Sequence, residues 1–241
     1  MTVVDPDLRF EKRLLREGAE LVIGVDEVGR GAIAGPVAVG VSVVDAAVAR
    51  IPVGLRDSKL LSERRREELH PKVQRWARHQ AVGVASNEEV DRLGIIAALG
   101  LAGTRALTAV LAEGVALGAA RVILDGSHDW LTPALRSAGA GAGVGAGAGA
   151  GVGQAAGGFA GMTVTTRVKA DMTCASVAAA SVLAKVQRDR FMIASHERLP
   201  EYNWVSNKGY ASADHYAAIE RIGASDLHRW SWLRQPTLLD L

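Results

Sequence analysis

The sequence predicts an α/β fold in which a mixed five-stranded sheet is flanked by helices. Three valine-rich apolar runs come early in the chain, at residues 21–26, 36–44 and 81–86, and two more follow at 121–126 and 162–171. Short runs of β-branched residues that end near glycine are typical of buried strands. Because three strands precede a stretch in which helix and strand alternate, this order favours a mixed sheet with helices on its faces.

The elements between the strands follow from spacing and composition. A short turn separates the first two strands, which predicts an antiparallel pair. Residues 62–79 then show helical spacing with a strongly charged outer face, interrupted by Pro71. After the third strand, an acidic helix start leads into a long helix over 94–113. Residues 173–198 form the clearest helix, alanine-rich with a basic second half, and 212–222 form the last.

Residues 138–161 are an uncharged Gly-Ala repeat between the fourth and fifth strands. Low-complexity segments rich in glycine behave as flexible chains, so we interpret this stretch as a disordered insertion without chemistry of its own. Pairing of the repeat in the manner of silk is the alternative.

Composition limits the function classes. The formal net charge of the 241 residues is only +2, so any basic surface that binds a polyanion must be confined to part of the molecule. The single cysteine, Cys174, excludes an internal disulfide and fits a reducing compartment. The charged N-terminus lacks a signal-peptide core, and the longest uncharged stretch is glycine and alanine rather than leucine. We therefore expect a cytoplasmic protein that does not enter a membrane.

Four acidic residues stand at or just after the ends of predicted strands: Asp26, Glu27, Asp125 and Asp171. If the first and fourth strands are adjacent and parallel, Asp26 and Asp125 lie side by side at the edge where open sheets bind ligands. Glu27 would point to the opposite face of a regular strand, so it joins them only if the chain bends. Clustered carboxylates repel one another and favour a hard cation such as Mg²⁺ or Mn²⁺.

Each acid also has a structural interpretation. Asp125 before a glycine is typical of a turn, Asp171 can cap a helix, and Asp26 with Glu27 can form a charged hairpin tip. Taken together, the four acids favour a functional site.

Six motifs resemble those of bacterial ribonuclease HII and occur in that family's order. They are DEVGRG at 26–31, DSK at 57–59, LDG at 124–126, ASVAAASVLAKVQRD at 175–189, KGY at 208–210 and HRWSW at 228–232. The resemblance runs from about residue 20 to residue 233 and is interrupted only by the Gly-Ala repeat.

The resemblance implies a ribonuclease H-like fold with a C-terminal helical extension. It also implies endonucleolytic cleavage of RNA in RNA–DNA hybrids and of single ribonucleotides embedded in duplex DNA. The expected organisation is an N-terminal segment (1–19), a catalytic domain (20–197) that contains the insertion, and the extension (198–241), in a monomer.

The resemblance assigns metal binding to Asp26, Glu27, Asp125 and Asp171, which would hold two Mg²⁺ or Mn²⁺ ions when substrate is bound. Two such ions support hydrolysis of a phosphodiester by an activated water. Cleavage is expected on the 5′ side of the ribonucleotide, leaving a 3′-hydroxyl and a 5′-phosphate.

The loop of Gly29, Arg30 and Gly31 would recognise the ribose. Glycine lets a main chain approach a ligand closely, and the 2′-hydroxyl is the group that distinguishes RNA from DNA. By the resemblance, the loop holds that hydroxyl and Arg30 lies near the phosphate. A tight hairpin turn is a compatible structural interpretation.

Four further residues complete the predicted substrate contacts: Lys59, Ser181, Lys185 and Tyr210. The two lysines would contact phosphates, and Ser181 shares a helix face with Lys185. The Tyr210 ring would pack on the following sugar. The alternatives are surface lysines and a core tyrosine. The histidines at 196, 215 and 228 are interpreted as structural or surface residues rather than metal ligands, because the expected metal is hard.

Two other functions compete with the endonuclease. A nucleic-acid-binding protein of the same fold without catalysis would gain by removing negative charge beside phosphates, so the four acids disfavour it. A nucleotide-phosphate enzyme that uses the glycine loop as a phosphate loop would need a GxxxxGK[ST] or complete GxGxxG motif, and the sequence has neither.

Overall fold

A computed structural model describes residues 5–140 and 157–233, which form a five-stranded sheet between two layers of helices. The sheet order is β3-β2-β1-β4-β5. β2 is antiparallel to β1 and to β3, whereas β4 is parallel to β1 and to β5, so the predicted mixed sheet is confirmed. The strands are β1 (Val22–Val28), β2 (Val37–Val44), β3 (His79–Ala85), β4 (Arg121–Asp125) and β5 (Thr163–Arg167).

Helices cover both faces of the sheet. In the described ranges they are α1 (Arg9–Arg16), α2 (Glu63–Trp76), α3 (Asn87–Leu93), α4 (Ile95–Ala112), α5 (Leu131–Ala140), α6 (Ala170–Thr173), α7 (Ala175–Arg198), α8 (Trp204–Asn207) and α9 (Ala213–Ile222). Ser86 begins α3 with a reciprocal capping box to Glu89, which confirms the predicted acidic helix start.

Two hydrophobic cores separate on the two faces of the sheet because side chains alternate along each strand. On β1, Ile23 and Val25 enter the core beneath α4, whereas Val22 enters the core that contains α7. By the same alternation, Gly24 and Asp26 belong to the α7 face. The carboxylate of Asp26 therefore lies between the sheet and α7.

Glycines allow α7 to lie directly on the sheet. A Cβ atom at Gly24 would come 2.2 Å from the main-chain carbon of Ser176, and one at Gly40 would come 2.2 Å from the carbonyl oxygen of Ala180. Gly40 pairs with Asp26 across the β1–β2 ladder. The residue after Ala180, Ser181, is therefore brought against Asp26.

We expect Gly40→Ala to lower the free energy of unfolding by about 1–3 kcal/mol, the usual cost of overpacking a core. The new methyl group would meet a main-chain oxygen of α7, which cannot rotate away. Urea denaturation measures the change. Gly157→Ala is the matched control, because a Cβ there meets nothing within 4 Å. Equal stability of the two variants would contradict this packing.

Two predicted boundaries are wrong. β5 ends at Arg167 rather than at 171, because its pairing with β4 stops at Asp125 and Lys169 then turns with a φ of 57° into α6. Pro71 does not interrupt α2, which continues through it. Proline removes one helical hydrogen bond, but Leu69 and Val73 are buried on either side and hold the helix in place.

The ends of the Gly-Ala segment are also ordered, contrary to the interpretation of all of 138–161 as a disordered insertion. Residues 138–140 belong to α5, and Phe159 is buried in the core beneath α4. The remaining repeat, 141–156, lies outside the described residues.

Helix α4 is long and apolar enough to cross a membrane by length and composition alone. Its buried residues, which include Leu99, Ala102 and Leu107, pack against the sheet. This packing is that of a core helix.

The chain beyond α7 forms a small helical unit, as predicted. Its core contains Tyr202, Trp204 and Ala218, together with Met192 of α7 and Ala34 from the loop after β1. The extension therefore packs against that loop. The domain limits at 1–19, 20–197 and 198–241 stay predictions, and residues 1–4 and 234–241 lie outside the described part of the chain.

Candidate active site

The four predicted acids gather at one edge of the sheet. Pairing between β1 and β4 ends at Val25 and Leu124, so Asp26 and Asp125 are the next residues on two adjacent parallel strands. The condition stated for Asp26 and Asp125, that their strands are adjacent and parallel, is met. Glu27 follows on β1, and Asp171 lies in α6, directly after β5.

Asp26 is the most deeply placed of these acids, with 3% of its surface exposed. Burial raises the pKa of its carboxyl well above the usual value, and the charges of Glu27 and Asp125 raise it further. A hydrogen bond from Ser181 and the charge of Lys59 act in the opposite direction. One oxygen, Oδ1, accepts the main-chain N–H of Glu27 at 2.8 Å.

Glu27 reaches the site without the bend that the sequence suggested. β1 stays paired with β2 through Val28, so Asp26 and Glu27 leave opposite faces of a regular strand. At the strand end, however, Glu27 still interacts with Asp125, which adds to burial in raising the pKa of its carboxyl. Arg30 lowers that pKa through an ion pair of 3.3 Å.

Asp171 and Lys59 form the other side of the site. Burial raises the pKa of Asp171 to about 6, and the charges of Asp125 and Asp57 contribute. Lys59 Nζ lies 3.6 Å from Asp171 Oδ2, on a side chain that is 66% exposed. Burial lowers the pKa of Lys59, but the surrounding carboxylates raise it on balance. Asp125 Oδ1 accepts the N–H of Ala170 at 2.7 Å, which ties β4 to α6.

The donor set fits a hard divalent cation. All four side chains offer carboxylate oxygens. Burial is the main cause of the raised pKa values of Asp26, Glu27 and Asp171, and the charge of Asp125 contributes to each of them. Across the two described ranges, no three acidic, histidine or cysteine side chains already stand in a coordinating arrangement. A magnesium-type ion takes only part of its ligands from protein carboxylates and the rest from water and substrate phosphate, so an open, unassembled site is compatible with it.

The raised pKa of Asp171 predicts a pH-dependent gain in stability for Asp171→Asn without metal. In the folded state the pKa of this carboxyl is about 6, compared with 3.8 for an ordinary aspartate. The folded state therefore binds the extra proton between these values, and stability falls as pH rises through them. Because Asn mimics the protonated acid, the variant should be more stable than wild type by about 1–2 kcal/mol above pH 6.

This gain should disappear below about pH 4, where the wild-type carboxyl is protonated in both states. Urea denaturation in a chelator at several pH values measures it. A constant difference across the range would contradict the assignment to Asp171.

The loop after β1 is a tight turn that is open on its outer side. Gly29 has a φ of 83°, a conformation that favours glycine. Arg30 and Gly31 are exposed, and a Cβ at Gly31 would meet nothing within 4 Å. The predicted turn is confirmed. Arg30 is paired with Glu27.

Tyr210 lies against this loop. Its hydroxyl accepts the N–H of Gly29 at 3.2 Å, and the guanidinium of Arg188 lies over its ring at 5.3 Å. The structure therefore brings the predicted sugar-stacking ring to the predicted ribose-binding loop. The part of the Tyr210 prediction that concerns the sugar stays a prediction.

Ser181 and Lys185 do not stand on the open side of the site. Ser181 is 1% exposed, and its Oγ lies 2.8 Å from that of Ser58. Lys185 Nζ donates to Asp189 Oδ1 at 2.6 Å, and Asp189 is also paired with Arg66. Their roles toward substrate stay predictions, and the contacts observed here are internal.

The sequence interpretation missed the two buried arginines beneath the loop, Arg188 and Arg229. Both lie inside the resemblance motifs, but nothing local separates a buried arginine from an exposed one. His215 and His228 are fully buried, which confirms their structural interpretation.

Comparisons with known proteins agree with this geometry. The family model described as Ribonuclease HII matches residues 23–127 and 153–235. A ribonuclease HII of Streptomyces griseus is 42% identical over 233 residues, which cover 95% of this chain and 84% of that protein.

Two solved structures have similar folds. The ribonuclease HII in a PCNA complex from Archaeoglobus fulgidus has a TM-score of 0.61 at 25% identity, covering 92% of this chain and all of that one. Bst-RNase HIII, solved with Mn²⁺, has a TM-score of 0.61 at 22% identity, and the match covers 86% of this chain and 64% of that one. Because Bst-RNase HIII is only 22% identical, its similarity supports the fold alone.

Proposed function

The chain belongs to the ribonuclease HII family, endonucleases that hydrolyse RNA in RNA–DNA hybrids, and from this premise we propose its finer specificity and mechanism. It nicks duplex DNA on the 5′ side of a single embedded ribonucleotide as well as cleaving continuous hybrids. The reaction uses two divalent ions, Mg²⁺ or Mn²⁺, and leaves a 3′-hydroxyl and a 5′-phosphate. The enzyme works as a cytoplasmic monomer.

The observation that carries this proposal is the juxtaposition of the acids with an open glycine loop. Asp26 and Glu27 lie in the last three residues of β1, and Gly29 to Gly31 follow directly after the strand. A phosphodiester at the carboxylates would thus have its sugar near the loop. A protein that only bound nucleic acid would be better served without these mutually repelling charges.

Asp26, Glu27, Asp125 and Asp171 would hold the ions. When bound, the ions would supply an activated water and stabilise the leaving oxygen. The other residues position the substrate. Lys59, exposed beside Asp171, supplies a positive charge for a phosphate. Arg30 can leave its ion pair with Glu27 and bind a phosphate oxygen instead.

Nicking assays with matched substrates test the proposal. A duplex with one ribonucleotide, a continuous RNA–DNA hybrid and an all-DNA duplex are incubated with Mg²⁺, Mn²⁺ or a chelator, and the product ends are mapped. We expect metal-dependent cleavage of the first two substrates only, with the 5′ nick described above. Binding without cleavage under every condition would favour the inactive nucleic-acid-binding protein. Cleavage restricted to the hybrid would refute the embedded-ribonucleotide activity.

Tyr210→Ala should impair the single-ribonucleotide duplex more than the continuous hybrid. The substitution removes a stacking surface worth about 1–3 kcal/mol, on the scale of aromatic–base contacts. In a long hybrid, many other contacts align the strand. Steady-state kinetics on both substrates measures the ratio, with Tyr210→Phe as the variant that keeps the ring. Equal losses on both substrates would show that Tyr210 is not part of this selectivity.

A further inference from the structure

The inner side of the recognition loop is held by Arg229 of the C-terminal extension. This side chain is fully buried. Its guanidinium donates to the carbonyl oxygens of Gly29 (2.7 Å), Arg30 (3.2 Å) and Gly35 (3.0 and 3.1 Å). Arg188 binds Ala34, Pro36 and Lys208 in the same way. Within the described residues, these two buried cations donate only to main-chain carbonyls.

Such an arrangement is costly. Burial, together with the charge of the neighbouring Arg188, lowers the pKa of Arg229 to about 9. A buried charge without an ionic partner loses its hydration, and neutral carbonyls replace that hydration only in part. The planar guanidinium does, however, fix several acceptors at once in defined directions.

The direction of the loop carbonyls determines where its N–H groups point. In a trans peptide unit, the C=O and N–H bonds point in opposite directions. Because Arg229 holds the carbonyls of Gly29 and Arg30 inward, the N–H groups of Arg30 and Gly31 point outward. Neither N–H has an acceptor in the described part of the chain. Two main-chain donors are therefore presented on the open side of the loop.

A pair of buried histidines connects Arg229 to Tyr210. His215 Nδ1 lies 2.9 Å from the carbonyl oxygen of Tyr210, so it carries the proton and donates. His215 Nε2 is then an acceptor, and it receives the indole N–H of Trp204 at 3.0 Å. The N–H of Ser225 donates to His228 Nδ1 at 2.9 Å, so the proton of His228 is on Nε2, 3.0 Å from His215 Nε2.

This assignment leaves both rings neutral and gives each ring nitrogen a partner, with the single lone pair of His215 Nε2 shared between the N–H groups of Trp204 and His228. Burial lowers the pKa of both histidines, that of His228 to about 4. His228 also bridges to Ala34, and the N–H of Arg229 donates to Ile33 at 2.8 Å. The chain of contacts thus runs from the loop through Arg229 and the histidine pair to Tyr210.

We propose that Arg229 and the His215–His228 pair are positioning residues for single-ribonucleotide recognition. They act through the loop and through Tyr210, without touching substrate. Arg229 orients the outward N–H donors, and His215 fixes the main chain that carries the tyrosine ring. The inference rests on the proposed function, because it explains how the embedded ribonucleotide is selected.

Arg229→Lys is the first test. Lysine keeps the charge but has one nitrogen, so it cannot hold the carbonyls of Gly29, Arg30 and Gly35 together. We expect kcat on the single-ribonucleotide duplex to fall about 10- to 100-fold, the scale of a small misplacement of positioning groups, with KM less affected. The loss on a continuous hybrid should be clearly smaller.

Two substitutions of His215 give a matched comparison. Asn places an amide N–H near the position of Nδ1 and can still donate to Tyr210, whereas Gln places its polar atoms near Nε2 and cannot. Both break one side of the buried network, so both destabilise the fold. His215→Asn should retain the preference for the embedded ribonucleotide, and His215→Gln should lose it.

Leu107→Ala controls for stability alone. Leu107 belongs to α4 and is fully buried in the core on the face of the sheet opposite α7. Its truncation should lower the melting temperature without changing the ratio of the two substrates. The inference is overturned if Leu107→Ala shifts that ratio as Arg229→Lys does, or if Arg229→Lys reduces both activities equally. Failure of the wild-type enzyme to nick the single-ribonucleotide duplex would instead identify the proposed function as the failing step, and would remove this inference with it.

Discussion

Asp26→Asn is expected to abolish hydrolysis, with a rate loss of about a thousandfold or more, as for removal of a group that acts as part of a catalytic unit. Asp26 is the most deeply buried member of the acidic group, and it interacts with both Glu27 and Asp125. Asn preserves the size of the side chain and can still accept the N–H of Glu27. What it removes is the negative charge that a divalent ion requires. Binding of the hybrid should persist, because the loop and Lys59 are unchanged.

The same substitution should stabilise the metal-free fold. The pKa of Asp26 is raised by burial, so the charged form is disfavoured in the folded state. The stability contributed by the protonated form is present at low pH and is lost as pH rises through the folded pKa. The neutral amide avoids that loss at pH 7. Wild type, in turn, should gain melting temperature on addition of Mg²⁺, by mass action, and the variant should gain less.

Single-turnover hydrolysis, hybrid binding in a chelator and thermal unfolding with and without Mg²⁺ measure these three effects. Asp129→Asn is the matched control. Asp129 accepts the N–H groups of Leu131 and Thr132 at the start of α5, and Asn caps a helix about as well as Asp. Turnover by Asp26→Asn at the wild-type rate would remove Asp26 from the reaction.

The sheet and its acidic edge could be predicted because both depend on short local sequence patterns. Valine-rich runs identify the strands, and the acids at the ends of the first, fourth and fifth runs identify the edge at which parallel strands meet. That Asp26 lies beside Asp125 followed from the sequence only on the condition that β1 and β4 are neighbours, and the structure meets this condition. The motif resemblance added the assignment of Glu27 and the function.

The contacts beneath the site could not be predicted, because they join residues far apart in the chain. Arg229 and Gly29 are separated by 200 positions, and Tyr210 and Gly29 by 181. Burial of an arginine depends on which carbonyls the fold turns toward it. Helical spacing placed Lys185 on the face of Ser181, but only the packing of α2 on α7 showed that Asp189 and Arg66 occupy its surroundings.

Gly31→Val should abolish recognition of a single ribonucleotide while leaving the protein as stable as wild type. A Cβ at Gly31 meets no protein atom within 4 Å, and its φ is outside the left-handed region that favours glycine. The branched side chain therefore projects into open space at the residue whose N–H points outward. If that space receives the ribose, we expect a loss of about 100- to 1,000-fold, the scale for loss of a fixed donor at a reacting group.

The graded variant Gly31→Ala should lose less, because a single methyl group fills less of the same space. Urea denaturation, kinetics on the single-ribonucleotide duplex and end mapping of the products are measured for wild type, Gly31→Ala and Gly31→Val. Unchanged stability with activity falling in that order supports an occluded substrate site. Full activity of Gly31→Val would place the ribose elsewhere, and lower stability with proportional loss of activity would mean that the valine acts on the fold. Activity that returned on a continuous hybrid would locate the clash at the selected 2′-hydroxyl, because a hybrid can present another ribonucleotide in a shifted register.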